Sequence, residues 1–128
     1  MSTRILRRAL GCAAALLLAA LAPQLARAGK ADVVDVKAEC KKDQCRFAVT
    51  VRHDDEGWSH YANRWEVLDM DGKVLVTRVL RHPHVNEQPV TRGVGWTRIP
   101  MEVVRVRVRA HDMVHGDGGA EMVIDLER

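Results

Sequence analysis

The sequence predicts an all-β protein, a seven-stranded antiparallel sandwich of the immunoglobulin-like or fibronectin-III-like kind. Three observations predict it. No segment beyond residue 28 sustains a helical period, apolar and polar residues alternate throughout, and turn signals return about every ten residues. The residues before that read as an address. Arg4, Arg7 and Arg8 precede an apolar run from Ala9 to Ala22, and Ala26-Arg27-Ala28 closes it with small residues. This is the pattern of a secretory signal peptide, residues 1–28, with cleavage expected after Ala28. The run is shorter than the roughly 20 residues of a membrane span. Residues 29–128 then form a single domain of about 100 residues. General secretion suits the segment better than twin-arginine export, and the destination expected is the periplasm.

Charge changes its meaning once the segment is set aside. Four of the 20 Lys and Arg (Arg4, Arg7, Arg8 and Arg27) lie in it and none of the 17 Asp and Glu, so the remainder is close to neutral. The basic balance that would invite nucleic acid disappears. No membrane span is expected after signal removal.

Each strand has its own justification. Val34, Val36, Ala38 and Cys40 alternate on a first strand, and Lys41 to Gln44 make a polar turn. Cys45, Phe47, Val49 and Val51 line the inner face of a second strand that ends near His53. The loop 54–62 leads into Arg64-Trp65-Glu66-Val67-Leu68, with Trp65 expected at the core's centre. Asp71-Gly72 is a hairpin signal, and Lys73 to Leu80 returns. After the loop 81–88, a fifth strand falls within Val90 to Ile99, interrupted by Gly93 and Gly95. Pro100 punctuates. Val104, Val106, Val108 and Ala110 then alternate with Arg105, Arg107, Arg109 and His111, and Met122, Ile124 and Leu126 share one face of the last strand. The arginine row reads as a solvated face paired with carboxylates such as Glu66, or else as an anion-binding stripe.

Cys12 leaves with the signal. Cys40 and Cys45 flank the first turn, and in an oxidising compartment that spacing suits a disulfide; a pair of metal thiolates is the alternative.

The histidines carry the functional reading. All six, His53, His60, His82, His84, His111 and His115, fall in or at the ends of the loops after strands two, four and six. In a sandwich that reverses direction at every connection, even-numbered loops share one end, so all six are expected at one pole with the cysteines at the other. Clustered imidazoles suit a divalent transition metal such as copper, zinc, iron or nickel. Asp54, Asp55, Glu56, Glu87, Asp112 and Asp117 stand ready as further ligands or as acceptors for the ring N–H groups. Without a metal, the same loops make an interaction module for another periplasmic protein, anchored by Trp58, Tyr61 and Trp96. Other chemistries lack their parts. Ser59 beside His60 is no nucleophile–base pair, no thiol is free if the cysteines are bridged, and no phosphate-cradling glycine motif is present.

The stretch His53-Asp54-Asp55-Glu56-Gly57-Trp58-Ser59-His60-Tyr61 with Trp65-Glu66-Val67 resembles the iron-binding region of superoxide reductases of the desulfoferrodoxin type. Gly72-Lys73 and His115-Gly116 resemble their hairpin and C-terminal loop. The resemblance implies an immunoglobulin-like domain with His53, His60 and His115 as iron ligands and His111 at the position of the family's thiolate, where this chain has no cysteine. It makes a superoxide-reductase-like enzyme a further alternative to the metal-binding protein. Across nearly the whole mature length, Asp55-Glu56-Gly57-Trp58, His60-Tyr61-Ala62, Arg81-His82-Pro83-His84-Val85 and Ala110-His111-Asp112 also resemble small exported bacterial β-sandwich proteins, which implies no activity.

Overall fold

A computed structural model describes residues 29–128; the expected signal segment and Cys12 lie outside the described residues. Seven strands form: β1 (Asp32–Lys41), β2 (Gln44–Arg52), β3 (Ala62–Leu68), β4 (Val74–Val79), β5 (Val90–Arg98), β6 (Arg105–Asp112) and β7 (Met122–Asp125). They make two antiparallel sheets, ordered β1-β2-β5 and β4-β3-β6-β7. Strand four lies beside strand three instead of joining the first sheet, which is the fibronectin-III-like form of the expected sandwich. Among the described residues no helix is long and apolar enough to cross a membrane.

The period-two pattern explains the core. Cys45, Phe47, Val49 and Val51 of β2 are buried, as are Val106, Val108 and Ala110 of β6 facing them. Trp65 is fully buried among them, where sequence alternation puts it. Each valine and the phenylalanine among them contributes about 1.5–3 kcal/mol on leaving water. Gly93 does not interrupt β5. It lets β5 pass close to β2, since a Cβ there would stand 2.9 Å from the Phe47 carbonyl oxygen.

Two alternation expectations need correction. Val33 and not Val34 is buried on β1, because Val34 is the extra residue of a bulge between the Val33↔Val51 and Asp35↔Thr50 pairs. Val104 is exposed, since β6 begins only at Arg105; the turn Val103 N–H to Pro100 O, 3.0 Å, points Val103 at the core instead. The arginine row is paired as expected: Arg105 with Asp125 (2.7 Å), Arg107 with Glu121 (3.1 Å) and Arg109 with Glu66 (3.0 Å).

The two ends of the sandwich differ in kind. Cys40 and Cys45 form a disulfide across the β1–β2 turn. That turn is tied to the Pro100 corner through Ile99 N–H to Asp43 O, 2.8 Å. At the opposite end, the loops after β2, β4 and β6 bind one another. The His53 backbone N–H donates to Gln88 Oε1 (2.9 Å), His84 N–H to Asp55 Oδ2 (2.7 Å), and Met113 N–H to Tyr61 O (3.2 Å). The histidines share this pole.

Candidate metal centre

Two strands run their alternation past their formal ends and thereby build the site. On β2 the inward sequence Cys45, Phe47, Val49, Val51 continues to His53 and Asp55, whose side chains are 0% and 1% exposed. On β6 the inward sequence Val106, Val108, Ala110 continues to Asp112, also 0% exposed. The two sheets face each other, so His53 Nε2 and Asp112 Oδ2 meet at 3.0 Å. A tight turn, His60 N–H to Gly57 O and Glu56 N–H to His60 O, swings a second ring onto the first. His60 Nε2 lies 3.3 Å from the same Asp112 oxygen, and the two imidazole centroids are 4.9 Å apart. One atom from each of His53, His60 and Asp112 thus falls within 4.8 Å of the other two.

The far side of each ring is also held by a carboxylate. Asp55 Oδ1 lies 2.6 Å from His53 Nδ1, and Glu56 Oε1 lies 2.5 Å from His60 Nδ1. Asp55 is itself fixed, accepting the backbone N–H of Ala62 (2.9 Å) and of His84 (2.7 Å). The second oxygen of Asp112 accepts the N–H groups of Val114 and His115, both at 2.6 Å.

The protonation directions follow. Burial alone would raise Asp112, but the backbone N–H groups of His115 and Val114 and the rings of His60 and His53 hold it below the usual carboxylate value. Burial alone would lower His60, yet its bonds to Glu56 and Asp112 win and raise it above 6.5.

This geometry has one chemical consequence. A neutral imidazole has one N–H and one lone pair. With Nδ1–H donating to Asp55 and to Glu56, both Nε2 lone pairs point at the Asp112 carboxylate, three electron-rich atoms around one spot. A metal ion shared by all three satisfies that arrangement. Carboxylates behind the rings fix the tautomer that leaves Nε2 free for a metal.

The other histidines are arranged around this group, not in it. His115 packs edge-on against His60, centroids 5.1 Å apart. His111 is on the outward parity of β6, its Nδ1 2.7 Å from Asn63 Oδ1. The residue facing His53 and His60 is therefore Asp112, where the superoxide-reductase resemblance placed His111. His82 is exposed, against the Pro83 carbonyl (3.1 Å), with its ring 4.5 Å from that of His84. His84 is buried, its Nε2 3.1 Å from the Arg92 guanidinium; burial, Arg92 and His82 lower its pKa. Glu87 is exposed and pairs with Arg92 at 3.4 Å, and Asp54 is exposed. Trp58 is exposed beside Tyr61, ring centroids 5.8 Å apart. Trp96 belongs elsewhere: it lies on β5 under Lys41 and Arg46, away from the histidine loops. Sequence reasoning missed Gly29, whose carbonyl oxygen is 3.0 Å from His53 Nε2. It also missed Gln88 and Arg92, which brace the loop 81–88. No pattern in those residues announces them.

The chain is 39% identical over 99 residues to a protein of Halomicrobium mukohataei named "Putative lipoprotein". The match takes in 77% of this chain and 48% of that protein, so the chain spans about half the length of its relative. No family model matches the chain, and no solved structure matches it. None of these comparisons shows a similarity to superoxide reductases.

Proposed function

We propose that this is an exported metal-binding protein whose histidine pole holds one divalent first-row transition ion through His53 Nε2, His60 Nε2 and Asp112 Oδ2. The single observation that carries the reading is the convergence of two Nε2 atoms on one buried carboxylate oxygen, with a second carboxylate behind each ring. Two imidazoles and a carboxylate are borderline-to-hard donors that suit zinc, copper(II) or iron(II), and they leave coordination positions open. Metal binding, delivery or redox protection are the roles such a centre serves. The disulfide and the signal-peptide pattern agree with export, and so does the name of the Halomicrobium relative.

Calorimetry on metal-stripped protein tests the proposal. One equivalent of zinc, copper or ferrous iron should bind tighter than about 10 μM, roughly 7 kcal/mol. His53→Ala should abolish that binding, whereas His82→Ala should leave it unchanged. A second reading is favoured by Trp58, 67% exposed at the rim of the same pole. It makes the loops a docking surface for another exported protein, and takes over if no metal binds at that level.

A further inference from the structure

We propose that the α-amino group of Gly29, freed by cleavage after Ala28, joins its carbonyl oxygen as a chelating arm of the metal centre, so that removal of the signal segment completes the site. The inference rests on the metal reading above and on the cleavage position that Ala26-Arg27-Ala28 predicts.

Gly29 is built into the cluster. Its carbonyl oxygen stands 3.0 Å from His53 Nε2, the atom that also faces Asp112. Its other side is closed by His115, whose Nε2 would be 2.6 Å from any Cβ at this position. Its φ of +98° is one that residues with side chains rarely adopt. Two requirements therefore select glycine here, a left-handed backbone and a ring where the side chain would go. The residues that follow are pinned. Ala31 is buried, Val33 N–H donates to Ala120 O (2.8 Å), and Ala120 N–H donates to Asp32 Oδ1 (2.7 Å). A chain end that would ordinarily fray is anchored within two residues of the metal ligands.

Processing changes what Gly29 can donate. While residue 28 is attached, the Gly29 nitrogen is a planar amide whose lone pair is delocalised into the carbonyl, a poor ligand. Hydrolysis by a signal-removing protease adds water across the Ala28–Gly29 bond: hydroxyl goes to the Ala28 carbonyl carbon and hydrogen to the Gly29 nitrogen. The product is an amine, with a localised lone pair. Amine nitrogen and carbonyl oxygen of one residue close a five-membered ring on a single ion. The donor set then becomes two imidazoles, a carboxylate, an amine and a carbonyl, which suits copper(II) best.

Residues 29–128 carry both sheets and the core between them, so the chain starting at Gly29 is the folding unit to test. Copper(II) and zinc are titrated into that chain with its amine free and with the amine acetylated, and the metal-free melting temperatures are matched first. The free-amine chain should bind copper at least tenfold tighter, and the copper resonance spectrum should lose one coordinating nitrogen on acetylation. Equal affinity and identical spectra would overturn the inference while leaving the metal centre standing. Failure of both chains to bind would overturn both. Intact mass of the exported protein should place its first residue at Gly29; a different first residue, such as a lipid-bearing Cys12, would also overturn it.

Discussion

Asp55→Asn isolates the contribution of one buried carboxylate to the pole. Asp55 accepts three hydrogen bonds: from His53 Nδ1 (2.6 Å) and the Ala62 N–H (2.9 Å) on one oxygen, and from the His84 N–H (2.7 Å) on the other. Asparagine has the same shape but a single acceptor oxygen. If that oxygen serves His53 and Ala62, its NH2 group confronts the His84 N–H, donor against donor. The reverse orientation orphans two donors in place of one. An orphaned buried donor costs about 1–3 kcal/mol, and each charge-assisted bond demoted to a neutral one forfeits roughly another 1 kcal/mol. The variant should be destabilised by about 3 kcal/mol in urea unfolding with a chelator present, which corresponds to roughly 12–24 °C in Tm for a domain of this size. Metal affinity should fall about 10–100-fold with it, since the ring it orients is a ligand. Glu56→Gln is the control, measured above the pH range in which His60 is charged: Glu56 is 68% exposed, so its loss there should barely move the unfolding midpoint. A change below about 0.5 kcal/mol for Asp55→Asn would refute the view that this carboxylate braces the pole.

Other consequences can be measured separately. In the metal-free protein His60 titrates above 6.5, so its bonds to Glu56 and Asp112 stabilise the fold fully below that pH. The contribution fades as pH rises through the raised value; His60→Gln should remove the fade, and an NMR titration of the ring should locate it. His84 has the opposite sign: its lowered pKa makes the unfolded chain take up the proton first, so stability falls as pH drops below 6.5, and His84→Gln should flatten that limb of the unfolding curve. Reducing Cys40–Cys45, or Cys40→Ala with Cys45→Ala, should cost about 2 kcal/mol by the chain-entropy argument for so short a loop. The same change should leave metal affinity untouched, because the bridge closes the opposite end of the sandwich; calorimetry on the reduced protein checks this.

Alternation made most of the fold legible. The period of two alone puts Cys45, Phe47, Val49 and Val51 inside, and loop parity gathers the histidines at one end. The same alternation, carried two residues further along β6, places Asp112 inside and His111 outside. Residue type points to His111 at this strand end, whereas parity selects Asp112. His53 and Asp112 meet across the sandwich because β2 and β6 belong to facing sheets. What alternation could not reveal is the bulge at Val34, which depends on how β1 meets β2, and the approach of Gly29, which depends on the anchoring of Ala31. Those features follow from packing between segments far apart in sequence, where no local periodicity reports them.

The central claim is the position of the ion, and anomalous diffraction from crystals grown with zinc or copper measures it directly. The account predicts one strong peak about 2.0–2.2 Å from His53 Nε2, His60 Nε2 and Asp112 Oδ2, the bond lengths those donors give. Peaks confined to the exposed rings of His82 or His115, or no peak at the pole in a crystal soaked at saturating metal, would contradict it.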